Sequence, residues 1–112
     1  MEIAARRSGD QVIFDISGDI DLANSPAMRK ALLGEIKGKG SQKVFLNLSH
    51  VRYIDSSGIA SLVEGLKASR DSGSRLILYG MNPSVREVME LSRLQKIFEI
   101  YDSEEQALSA KG

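Results

Sequence analysis

Val44-Phe45-Leu46-Asn47-Leu48, followed closely by Tyr53-Ile54-Asp55-Ser56-Ser57-Gly58-Ile59, is the stretch on which the fold turns. The first segment is a short apolar run of the kind that forms a buried strand. After the second, Ile59, Leu62, Val63 and Leu66 recur at helical spacing. Two hydroxyls and a carboxylate therefore fall in a loop that opens a helix, where the first amide groups lack intrahelical partners. Such a place suits a capping serine, and it also suits a phosphate.

Upstream of this unit, Ile3 to Arg7 and Gln11 to Ile16 read as two strands joined across Ser8-Gly9-Asp10, with Val12, Phe14 and Ile16 alternating on one face. Gly18-Asp19-Ile20-Asp21 reads as polar and flexible. Asn24-Ser25-Pro26 then marks a helix start, because proline is favoured at the first helical position. Met28, Leu32, Leu33 and Ile36 give that helix a buried stripe, and Gly38-Lys39-Gly40 ends it. Downstream, the central helix closes at Asp71-Ser72-Gly73, Arg75 to Tyr79 is a second buried strand, and Asn82-Pro83 leads into a helix carrying Val85, Val88, Met89 and Leu91. Ile97 to Tyr101 reads as a last strand. Ser103-Glu104-Glu105-Gln106 starts a short helix with a serine cap and an acidic first turn.

Strands alternating with helices imply an α/β domain with a mixed, mostly parallel sheet, right-handed crossovers, an antiparallel hairpin at its N-terminal edge and about four helices. No repeat or linker divides the chain, so residues 1–112 are expected to form one domain. Fifteen basic and fifteen acidic residues cancel, which removes a global field for nucleic acid or anionic membrane. There is no cysteine, hence no disulfide, thiolate zinc site or cysteine nucleophile. The N-terminus lacks the apolar region of a signal peptide, and no run is long enough to insert in a membrane. A cytoplasmic location is the expectation.

Chemistry finds little purchase elsewhere. His50 is a lone histidine in the loop leaving the central strand, without a second histidine or a cysteine. A triad of Ser56 or Ser57 with His50 and an aspartate can be drawn, but Asp55-Ser56-Ser57-Gly58 is not a glycine-flanked nucleophile elbow. Asp15, Asp19 and Asp21 do not follow the oxygen-ligand spacing of a calcium loop. No phosphate-binding glycine pattern occurs. No catalytic residue, metal or cofactor is expected.

The serine loop supports two uses. As a cap, Ser56 or Ser57 would accept an amide hydrogen bond worth about 1 kcal/mol. As a switch, a phosphoryl group there would meet free amides and the positive helix end, adding roughly 1.5 to 2 negative charges beside Asp55 and near Asp19 or Asp21. That charge would repel an acidic or apolar partner without unfolding the domain. On the helix, Ile59, Leu62, Val63 and Leu66 face the core, whereas Ala60, Ser61, Glu64, Gly65 and Lys67 form the outer face. Gly65 costs about 1 kcal/mol relative to alanine inside a helix, which suggests close packing there.

Gly18-Asp19-Ile20-Asp21, the strand running into Tyr53-Ile54-Asp55-Ser56-Ser57-Gly58-Ile59, and Leu76-Ile77-Leu78-Tyr79-Gly80 with Asn82-Pro83 together resemble the STAS domain, particularly single-domain bacterial anti-sigma factor antagonists. The resemblance spans essentially the whole chain. It implies a protein without catalytic activity of its own, one that binds an anti-sigma factor serine kinase and so frees a sigma factor. Ser56 would be the residue that this kinase phosphorylates, and a PP2C-type serine phosphatase would reverse the step. Asp21 and Asp55 would lie beside it and contact the kinase, Asp19 would join them in partner binding, Ser57 and Gly58 would shape the loop, and Ile59 and Ser61 would belong to the docking helix. Ser57 is then the better cap. A homodimer is a further option. The segment Gly58-Ile59-Ala60 departs from the Gly-Leu-Gly often found in antagonists, which keeps open a constitutive role as an accessory subunit of a lipid-transporting ABC system or a stressosome-type scaffold.

Overall fold

A computed structural model describes residues 1–110 of the chain. The alternation read at Val12, Phe14 and Ile16 belongs to β2 (Gln11–Ile20), where all three side chains are buried. Strand β1 (Glu2–Ser8) pairs with it antiparallel, and β3 (Lys43–Ile54), β4 (Arg75–Tyr79) and β5 (Glu99–Tyr101) add in parallel, giving a five-stranded sheet in simple sequence order. Register places Val12 beside Val44 and Val44 beside Leu76, then Phe14 beside Leu46 and Leu46 beside Leu78. These rows make one continuous apolar face. Helices α1 (Ser25–Leu33), α2 (Ser56–Ser72) and α3 (Pro83–Leu91) cover it, inserting Met28, Leu32, Leu62, Val85 and Met89 among the other core residues.

The opposite face is covered only in part. Phe45, Ile77 and Tyr79 pack there with Ala107 of α4 (Glu104–Ser109). The apolar Leu76-Ile77-Leu78 run is thus explained by a strand with a helix on each side. No helix among the described residues is long and apolar enough to cross a membrane.

Two segments differ from the sequence expectation. Gly18-Asp19-Ile20 is not a flexible loop but the end of β2, and Ser49 to Tyr53, with His50, is not a loop but the second half of β3. The two strands pair along their whole length, with Ser17 beside His50, Asp19 beside Tyr53 and Ile20 beside Ile54. Register shifts between Asp15 and Ser17 and between Gly18 and Asp19 absorb the extra β3 residues, and Gly18 takes the positive φ of 91° that this irregularity requires. Val51 and Ile54 gain burial in return. In sequence this run loses its period at the shifts, so alternation cannot reveal it. At the other end Phe98 bonds back to Leu94, which delays β5 to Glu99 instead of Ile97. Helix α1 continues as a π-helical turn through Gly38, where the glycines had placed its end.

Candidate functional site

At the C-terminal end of the sheet, β3 passes into α2 through a single residue, Asp55. Asp55 is the N-cap: its Oδ1 accepts from the amides of Ser57 at 2.9 Å and Gly58 at 3.1 Å, and its carbonyl accepts from Ile59. Neither serine caps the helix, contrary to the expectation for Ser57. An aspartate at this position reaches the same amides and adds charge complementarity to the helix N-terminus. Two of the amides that a phosphate was expected to find, those of Ser57 and Gly58, are therefore already occupied. Ser56 stands at the first position of α2 and is exposed, with Ser57 half-buried beside it.

The second carboxylate oxygen of Asp55 accepts from the Leu22 amide at 3.1 Å, and the Asp55 amide donates to Ile20 O. The β2–α1 connection is thereby fastened to the β3–α2 joint. Within that connection Asp21 Oδ1 accepts from the Asn24 amide and Asp21 O from Ser25. Asn24, read as a capping residue, instead turns its side-chain amide toward Asp19 O. Asp21 and Asp55 are brought together with Ser56 at one end of the molecule, while Asp19 leans to Arg52 at 3.4 Å. Around them Leu22 is 74% and Tyr53 51% exposed, so the rim of the site is apolar as well as acidic. Sequence reading missed both: Tyr53 lies inside the quoted motif, but the broken strand period hid which way it points, and Leu22 carries no signal on its own.

Three of the residues expected at the site, Ser61, Gly58 and Ile59, pack inward. Ser61 is buried, with its hydroxyl donating to Ser25 O of α1, so it is not part of an outer face. Gly58 is buried where any Cβ would stand 2.6 Å from Ile54 Cγ1 and 2.8 Å from Ile20 O. Ile59 is half-buried and packs against the core. Gly65 likewise finds its close neighbour inside the molecule, a Cβ there meeting Leu32 Cδ1 at 3.0 Å. Helix α1 lies against this side of α2, a neighbour that helical periodicity alone does not disclose.

A separate polar network spans the part of the second sheet face that α4 leaves open. Arg6 bonds both oxygens of Asp15, at 2.7 and 2.8 Å, and also pairs with Glu104 of α4, while Asn47 donates to Asp15. The Arg6 guanidinium holds the carboxyls of Asp15 and Glu104 below their ordinary range, helped by Asn47 in the first case and Tyr79 in the second. Burial, then the bond to Glu104, keeps the Tyr79 phenol protonated well above its usual range. His50 lines a hollow with Asp15, Ser17 and Asn47 on this face, and neither Ser56 nor Ser57 borders that hollow.

The STAS domain family matches residues 2–107. A provisionally named anti-sigma factor antagonist of Thermotoga maritima is 33% identical over 99 residues, 88% of each chain. The anti-sigma F factor antagonist of Paenibacillus polymyxa is 29% identical over 98 residues, covering 88% of this chain and 84% of that one. Among solved structures, a provisionally assigned anti-sigma factor antagonist of Thermotoga maritima superposes with a TM-score of 0.88 at 31% identity, covering 95% of this chain and 91% of the other. The Bacillus cell fate determinant SpoIIAA in its phosphorylated form shares the fold, with a TM-score of 0.74 at 19% identity over 96% of each chain. With a family match over nearly its whole length and a sheet-and-helix arrangement to go with it, this chain belongs to the STAS domain family.

Proposed function

We propose that this protein is a cytoplasmic anti-sigma factor antagonist, switched by phosphorylation at Ser56. The observation that carries the proposal is the placement of Ser56, an exposed hydroxyl at the first position of α2, beside the aspartate that ties two loops together. Its family relatives named for antagonising anti-sigma factors support the partner class. An anti-sigma factor serine kinase would dock on the Asp21, Leu22, Tyr53 and Asp55 rim. In transferring the γ-phosphoryl of ATP to the Ser56 oxygen it would release ADP and a proton.

The switch works by charge. With the Ser57 and Gly58 amides held by Asp55, the new phosphate has no vacant cap to enter and stays at the surface. It adds roughly 1.5 to 2 negative charges to a rim that already holds Asp21 and Asp55, and the docked kinase is repelled. A PP2C-type phosphatase would reset the site.

Incubation with the cognate kinase and ATP tests this reading. One phosphate is expected, mapped to Ser56 by mass spectrometry and absent from Ser56→Ala. Ser56→Asp is expected to weaken kinase binding and Ser56→Ala to preserve it. Unchanged stoichiometry in Ser56→Ala overturns the site. Recovery of a transporter ATPase instead of a kinase from the native cell overturns the partner.

A further inference from the structure

Far from Ser56, the open edge of the sheet meets an uncovered flank of α1. Strand β1 is the outermost strand, paired on one side only. Above it, on the helix-bearing side, a groove of about 530 Å³ has an apolar floor of Ala5, Phe14, Ala27 and Ala31. Its rim is cationic, built from Arg7, Lys30 and Lys39. The buried carboxylate of Glu35 pairs with Arg7 and, at 3.8 Å, with Lys39, whereas Lys30 pairs with no carboxylate among the described residues. Three cations thus share the groove with one carboxylate. An unpaired strand edge and an adjoining apolar groove together fit a further strand, since backbone groups along the edge supply hydrogen bonds and alternate side chains fill the groove.

We infer that the β1 edge and the β1–α1 groove form a second docking surface, which takes an extended segment of a partner protein carrying apolar and acidic residues. Charge complementarity chooses this occupant. The exposed Lys30 and Lys39 leave the mouth of the groove cationic, with Glu35 as the one carboxylate in its lining, and this suits acidic side chains on the incoming segment. Antiparallel addition specifies the segment position by position. Residues opposite Ile3 and Ala5 lie on the helix-bearing side of the sheet, the latter at the groove, and should be β-branched. Those opposite Arg6 and Arg7 should be acidic, and the one opposite Glu2 basic. The surface is independent of phosphorylation at Ser56.

The probe is the capped heptapeptide threonine-glutamate-glutamate-valine-threonine-valine-lysine, titrated into the full-length isotope-labelled protein and followed by amide NMR shifts. Expected are shifts along residues 2–8 and residues 27–35, with those around Ser56 unmoved, and weakening of at least fivefold in Lys30→Glu/Lys39→Glu. A peptide with both glutamates replaced by lysine should bind at least fivefold more weakly. Absence of shifts at millimolar peptide overturns the inference, as does equal binding of the lysine peptide or equal binding by a double variant that retains the wild-type spectrum elsewhere. Should that variant fail to fold, Lys30→Gln alone is compared and must still weaken binding. Concentration-dependent shifts of β1 without peptide, with dimers in sedimentation, would overturn it in favour of self-pairing.

Discussion

The carboxylate of Asp55 and the amide of Leu22 are joined by a 3.1 Å hydrogen bond across 33 positions of sequence. One oxygen of Asp55 starts helix α2 while the other fastens the turn that carries Leu22. A single side chain therefore sets the geometry on both sides of Ser56.

Asp55→Ala should remove the cap and the fastening together. Loss of the cap alone costs about 1 kcal/mol, which lowers Tm by roughly 4 °C or more in a domain of this size. Hydrogen exchange at Leu22 should accelerate at the same time, a local effect that a mere loss of helix propensity would not produce. Wild-type protection of Leu22 in the variant would contradict the fastening role.

Gly58→Ala and Gly65→Ala should separate sharply, although each adds one methyl to the same helix. At Gly58 the methyl collides with the backbone carbonyl of Ile20, which can move only with β2, and overpacking of this kind costs about 1–3 kcal/mol. At Gly65 the nearest atom is the end of the Leu32 side chain, which can give way. There the gain of about 1 kcal/mol in helix propensity offsets most of the strain. Urea denaturation of both variants checks the order, and equal losses would refute it.

Leu22→Ser and Tyr53→Ser test the apolar rim. Both side chains are largely exposed, so stability should change by no more than about 0.5 kcal/mol. Kinase binding should fall at least tenfold in one of the two, as for an anchor near the centre of an interface. Calorimetric titration supplies the measurement, and unchanged affinity in both would move the docking surface away from this rim.

Acid should weaken the second-face network. Asp15 and Glu104 have their carboxyls held below the ordinary range, Arg6 being the main cause for both. Between the folded and unfolded values the unfolded chain binds more protons, so stability rises with pH there. Their contribution is present above about pH 4.5 and is lost as pH falls through the lowered folded values. Arg6→Gln should flatten this part of the curve of urea midpoint against pH. An unchanged slope would show that the network does not govern acid sensitivity.

Much of this architecture was legible in the residues. The period-two run at Val12, Phe14 and Ile16, the helical spacing from Ile59 to Leu66, the Pro83 start and the Ser103 cap each report a local preference that tertiary packing then uses. Local preference fails where two strands negotiate their pairing. The β2–β3 shifts turned Gly18 to Ile20 and Ser49 to Tyr53 from apparent loops into sheet, because a bulge erases the alternation by which a strand is recognised.

The order of residues alone encodes an α/β succession of elements, a joint between strand and helix at Asp55-Ser56, and the residue types that gather there. Those follow from periodicity and turn chemistry, which act over a few residues. Long-range packing is what makes Asp55 and not Ser57 the cap, turns Ser61 and Gly65 toward α1, and leaves Leu22 and Tyr53 exposed at the rim with Ser56. Each of these depends on which distant backbone comes within hydrogen-bond or van der Waals reach, and no local pattern encodes that.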